Sequence, residues 1–214
     1  PMHITLSSEV PRARGLGSSA AVAASVAGAA LKATGSGEGP ARVYQIVTEL
    51  EGHADNAAAT VFGGLVAVAD GGVKRLELHR SLLPVVAIPH EPLRTDDARA
   101  ALSRSVPFDV AVRSLSRLAF LIEGLSDANA EVLAHAAGDE LHERPRASLS
   151  PVTGELIEAA KRAGALHACW SGAGPTALAF TTDETRGRVI GAMSGLLGRS
   201  GEVLALNVDH DGLL

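Results

Sequence analysis

The residues whose types and spacing best suit chemistry are Pro11, Arg12, Ala13, Arg14, Gly15, Leu16, Gly17, Ser18, Ser19, Ala20 and Ala21. Glycine has no Cβ, so Gly15 and Gly17 let the backbone take positive φ and aim several amide groups at one point. A helix beginning where such a loop ends adds its free N–H groups and the positive end of its dipole. The hydroxyls of Ser18 and Ser19 can cap that helix, bind a phosphate oxygen or hold a metal ion. The chemistry these residues suit is capture of a nucleotide's phosphates and transfer of the terminal one. No Gly-Lys-Ser/Thr ends the loop, so it is not a Walker A loop, and the glycine spacing does not suit a dinucleotide fingerprint. On glycine and serine alone, an ordinary strand-to-helix turn with a serine cap remains the other reading.

Such a loop needs an element on either side. Residues 4–10 read as a short strand entering it. Residues 18–34 (SSAAVAASVAGAALKAT) form an alanine-rich helix that Gly35 ends. Residues 41–51 read as a second helix, with Val43, Ile46, Val47 and Leu50 as one buried face. Residues 52–56 break that pattern and carry polar groups. Gly63-Gly64 then leads into a hairpin of residues 65–69 and 73–78, turning at Gly71-Gly72. A boundary falls near Arg80, giving domains of residues 1–80 and 81–214. Beyond it, strands are expected at 83–88, 166–171, 176–181 and 203–208. Helices are expected at 94–102, 108–125, 128–142, 154–163 and 184–197. Hairpins mixed with helices, without regular βαβ repeats, indicate an α+β fold.

Composition removes several function classes. The chain has 214 residues, of which 46% are hydrophobic, enough for a packed core. Aromatics are only 3%, which disfavours stacking on single-stranded nucleic acid. The net charge of -5 and the lack of a basic stripe disfavour a duplex partner. The lone Cys169 has no disulfide partner, and no cysteine spacing suits a metal. No stretch is apolar enough to span a membrane and no secretory signal is visible, so a cytoplasmic protein is expected. Cys169 and Trp170, just before residues 172–175, read as packing residues.

Three coordinated segments carry a family resemblance over nearly the whole chain. Pro11-x-x-x-Gly15-Leu16-Gly17-Ser18-Ser19-Ala20 resembles the ATP loop of the GHMP kinases. Ser171-Gly172-Ala173-Gly174-Pro175-Thr176 resembles their C-terminal glycine motif. Glu51-Gly52-His53-Ala54-Asp55-Asn56, followed by Gly63-Gly64, resembles the EGHPDN segment of homoserine kinases. Thr95-Asp96-Asp97-Ala98-Arg99 and Leu141-His142-Glu143-Arg144-Pro145-Arg146 resemble the T-x-x-A-R and L-H-x-P-Y-R segments of the same group.

The resemblance implies a two-domain α+β fold, with a partial ribosomal-S5-like N-terminal domain and a ferredoxin-like C-terminal domain. It implies ATP-dependent phosphorylation of a small amino acid's hydroxyl, L-homoserine to O-phospho-L-homoserine, a step of threonine biosynthesis. ATP is the expected donor and Mg2+ the expected ion. Ser19 and Glu51 are the candidate metal ligands, Glu49 being the weaker choice on another helix face. Asp55 and Asn56 are the candidate catalytic residues, and His53, Asn56, Thr95 and Gly172 line the substrate. Arg99 and Arg146 would grip the substrate's carboxylate, because a planar guanidinium can donate two parallel hydrogen bonds. No general base stands out, which a loose phosphoryl-transfer transition state tolerates.

Some positions depart from the family. Ser8-Glu9 stand where Asn-Asp is common, Arg144-Pro145 replace Pro-Tyr, and Ala54 replaces a proline. The chain also starts after the family's strand-rich N-terminal block, with Pro1 ahead of Met2. A shortened chain, one half of a split protein, or a degenerate homologue would each account for that. The alternatives to a homoserine kinase are a nucleotide-binding module without activity of its own, and a related kinase for a sugar or isoprenoid alcohol. A homodimer, or a second chain supplying the N-terminal half, is the expected partner.

Overall fold

The computed structural model describes residues 3–213. They divide into two units. One holds the residues up to Arg12, Gly17–Leu76 and the residues from Val208 on; the other holds Ala13–Leu16 and Glu77–Asn207.

The first unit is built on α1 (Ser18–Thr34), α2 (Pro40–Glu51) and α3 (Asp55–Phe62), followed by the hairpin β1 (Leu65–Ala69) and β2 (Gly72–Leu76). Ala20, Ala24 and Ala27 recur at i, i+4 and i+7 on α1 and are buried. Their small side chains let α1 lie close to Val43, Tyr44 and Val47 of α2 and to Ala57, Ala58 and Val61 of α3. Gly35 ends α1 in the left-handed conformation, and Pro40 starts α2 at a position where its missing N–H costs nothing. Asp70 and Gly71 both have positive φ, as a two-residue hairpin turn of the right twist requires. Late residues return to this unit: Leu213 N donates to Val61 O at 3.0 Å, and Gly64 N to Asp209 O at 2.6 Å.

The second unit carries β3 (Leu83–Pro89), α4 (Thr95–Ala100), α5 (Phe108–Asp127), α6 (Ala130–Ala134), α7 (Glu143–Arg146), α8 (Pro151–Arg162), β4 (His167–Trp170), β5 (Ala177–Thr181), α9 (Asp183–Leu197) and β6 (Gly201–Ala205). The strands form one antiparallel sheet in the order β4-β5-β3-β6. This is the ferredoxin-like arrangement. β3 is an almost continuous apolar run because it lies in the sheet's interior, where Val85 pairs with both Ala179 and Ala205. Leu156, Ile157 and Ala160 of α8 and Val189, Met193 and Leu197 of α9 pack with Val85, Ala87, Ala177 and Ala179 as one core.

Several expectations need correction. Residues 4–10 are not a strand but exposed coil, since no neighbouring strand among the described residues offers them a ladder. Leu50 is 70% exposed at the last turn of α2, and Tyr44 takes the place expected for it in the core. The helix expected over residues 128–142 is broken. Ala128 takes a left-handed conformation after α5, α6 lasts only to Ala134, and Gly138 has positive φ. The Asp139 carboxylate then accepts from Leu141 N and His142 N, a local turn that competes with helix continuation. The last strand stops at Ala205, and Asp55 and Asn56 belong to the first turn of α3.

His167 at the start of β4 is 5% exposed, and its Nδ1 has no hydrogen-bond partner among the described residues. Burial, and secondarily the charge of Lys161, pulls its pKa down to about 4, so the ring stays neutral in the fold. The unfolded chain releases that proton at an ordinary histidine value of about 6.5. The unfolded state therefore binds more protons between these values, and stability falls as pH drops through that window. The slope from this one group should reach about 1.4 kcal/mol per pH unit. Urea unfolding at several pH values should show that slope in the native sequence and its loss in His167→Gln; equal slopes would refute it.

Candidate functional site

The loop of residues 11–21 takes its shape from three positive φ values: Ala13 at 54°, Gly15 at 73° and Gly17 at 71°. Ala13 is the unexpected member, since a left-handed alanine is unfavourable and nothing in the sequence marks it. Gly17 is the N-cap of α1, with no side-chain cap bond. Of the readings open for the two serines, capping of α1 is therefore not the one seen. Ser18 and Ser19 lie inside the first turn, whose amides no capping side chain claims, so they can serve an anion.

In the first unit, Ser19 Oγ donates to Glu51 Oε1 at 2.6 Å. Two oxygens that the sequence separates by a helix and a turn thus stand side by side. Glu49 makes no such bond and is exposed. Among the described residues no group of three or more histidine, cysteine or acidic side chains could hold a metal. A magnesium ion does not need one, as it takes one or two protein oxygens and completes its shell with phosphate and water. The Ser19–Glu51 pair fits that demand. Asp55 Oδ1 accepts from Asn56 N at 2.7 Å and lies 3.1 Å from His53 Nδ1. Both bonds are local, and Asp55 itself is largely exposed. Asn56 lies beside the start of α1: a Cβ added to Gly17 would come 4.0 Å from Asn56 Oδ1.

In the second unit, residues 13–16 are pressed onto the turn between β4 and β5. Ser171 Oγ donates to Gly15 O at 2.8 Å, and a Cβ on Gly15 would stand 2.1 Å from Ser171 O. Leu93 N donates to Ala13 O at 3.1 Å, and the Arg14 guanidinium bonds His90 O. Arg146 is 5% exposed; its Nε donates to Ala98 O and its Nη1 to Gly172 O, each at 3.1 Å. Burial lowers its pKa, the charge of Asp139 opposes that, and the positive charge of Arg99 adds to it. Arg99 is exposed on α4 and pairs with no carboxylate among the described residues; Thr95 opens the same helix. The structure thus ties Arg146 to Gly172 and to the carbonyl of Ala98, the residue before Arg99.

Residues that the sequence did not single out complete this region. Glu143 Oε1 accepts from Trp170 N at 2.8 Å, and burial raises the carboxyl's pKa. Ser171 also escaped notice as the partner of Gly15. The only available signal was its place at the head of the second glycine motif. Cys169 is a packing residue as expected, its thiol pushed up to about 12 by burial.

The family description "GHMP kinases N terminal domain" matches residues 1–64, and "GHMP kinases C terminal" matches residues 119–197. With the ferredoxin-like unit and the glycine loop, this defines the class: the chain belongs to the GHMP kinases. Within them its relatives are homoserine kinases. That of Moorella thermoacetica is 38% identical over 205 residues, 94% of this chain and 69% of the relative. That of Thermus thermophilus is 39% identical over 212 residues, 97% of this chain and 72% of the relative. The crystal structure of homoserine kinase from Cytophaga hutchinsonii superposes with a TM-score of 0.88 at 27% identity, over 96% of this chain and 69% of that one.

Two glycines separate conformational freedom from lack of space. Gly15 and Gly35 both have positive φ, but a Cβ on Gly35 meets nothing within 4 Å. Gly35→Ala should cost about 1 kcal/mol for the left-handed conformation alone. Gly15→Ala must also displace the Ser171 carbonyl, and should cost several times as much in urea unfolding. Equal losses would show that the close approach is absent.

Proposed function

We propose that this chain transfers the γ-phosphoryl group of ATP to the side-chain hydroxyl of L-homoserine, forming O-phospho-L-homoserine and ADP. Kinship with homoserine kinases supports the reaction. The observation that carries the substrate is the arginine pair, one buried and fixed, one exposed and without a counter-ion among the described residues. A sugar has no carboxylate to occupy it.

The amides at the start of α1 and the residues of the loop from Pro11 to Ala21 hold the triphosphate. Ser19 and Glu51 hold Mg2+, which when bound neutralises charge on the phosphate oxygens. Asn56 and His53 contact the substrate's polar groups, and Asp55 orients the hydroxyl. Arg99 and Arg146 grip the carboxylate, with Thr95 and Gly172 beside them. Positioning and charge neutralisation carry most of such a reaction, so no strong base is needed. The lone Cys169 suits a cytoplasmic enzyme.

Arg99 is the cleaner test of the substrate, because its removal leaves no buried carbonyl unpaired. Coupled-assay kinetics with L-homoserine should show Arg99→Ala weakening substrate binding by about 1.5–3 kcal/mol, the worth of a hydrogen bond to a charged group. The KM for ATP should stay unchanged. An unaltered KM for homoserine, or no turnover by the unmodified protein, would overturn the reading.

A further inference from the structure

α7 holds only four residues, Glu143–Arg146. A helix this short has no stability of its own and must be held by what its side chains reach. Two of them do so. Arg146 ties the helix to Ala98 O of α4 and to Gly172 O of the β4–β5 turn. Glu143 ties it to the other side of that same turn, through the Trp170 N–H.

The reason for the second tie lies in the sheet. β4 stands at the edge of the order β4-β5-β3-β6, so its outward backbone groups have no strand to pair with. The Glu143 carboxylate supplies the acceptor that a further strand would have supplied at Trp170. Trp170 in turn covers the glycine motif: a Cβ on Gly174 would lie 2.4 Å from its ring. One carboxylate thus connects the edge of the sheet, the glycine turn and the helix that carries Arg146.

We infer that Glu143 is a positioning residue for the Arg146 guanidinium, fastening α7 to the edge strand so that the arginine is held for the substrate's carboxylate. This rests on the reading of Arg146 as a carboxylate ligand. The tie requires an acceptor oxygen at this position and does not require a negative charge.

The test compares Glu143→Ala with Glu143→Gln in the full chain. Glu143→Ala should raise the KM for L-homoserine about tenfold, equivalent to about 1.4 kcal/mol. Its kcat and KM for ATP should change far less. Glu143→Gln keeps the acceptor and should behave nearly as the native sequence does. An unchanged homoserine KM in Glu143→Ala, or equal damage in both variants, overturns the inference. A second readout needs no activity: hydrogen exchange of the Arg146 Nε–H and the Trp170 amide by NMR. Both should exchange faster in Glu143→Ala and at the native rate in Glu143→Gln. If the unmodified chain does not phosphorylate homoserine, the functional reading fails, and the exchange rates alone decide whether Glu143 holds Arg146. Unchanged exchange in Glu143→Ala overturns it.

Discussion

The backbone-to-backbone contact between Gly15 and the turn after β4 is the constraint on which the rest depends. The Gly15 carbonyl accepts the Ser171 hydroxyl, while its Cα faces the Ser171 carbonyl at a distance where no side chain fits. That contact holds residues 13–16 in the second unit, although residues on either side of them belong to the first. Two residues later Gly17 starts α1 without a side-chain cap, leaving the helix's first amides for an anion. A side chain at residue 15 would interfere with both the path of the loop and the glycine turn beneath it.

The first unit shows how plain packing can bring two distant polar side chains together. Small alanines bring α1 close to α2 and α3, and the same closeness sets Ser19 of α1 against Glu51 at the end of α2. The 2.6 Å contact is a consequence of helix packing, which is why residue 51 and not residue 49 meets the serine. In the second unit the arginines differ in kind. Arg146 is buried and engaged with two carbonyls, so it acts on the architecture. Arg99 is exposed and pairs with no carboxylate among the described residues. A guanidinium held in one orientation presents a planar fork of donors.

Much of this was legible in the sequence because it rests on local rules. The 18–34 helix and its glycine end, the Gly71 hairpin turn, the apolar strand 83–88 and the paired strands around residues 172–175 all follow from propensity, periodicity and turn chemistry. The candidate site residues stood out as types at spacings: glycine and serine at a loop, an acid at a helix end, two arginines. The failures came where a distant partner decides. Residues 4–10 look like a strand, but a strand exists only with a neighbour. Leu50 fits the apolar periodicity of α2 yet lies exposed at its last turn. Residues 128–142 look helical, but Gly138 and the Asp139 carboxylate make a turn instead.

By itself the sequence determined the α+β class, the glycine-serine loop and the family, since these depend on which residue types stand at short, fixed separations. Only the tertiary structure decided which oxygen meets Ser19, that Arg146 is buried, that Ser171 receives the loop, and that Glu143 closes the edge of the sheet. Each of those is a contact across a large sequence separation, where the ladder register and helix packing set the distance. A chain's residue order does not specify such contacts until the core has formed.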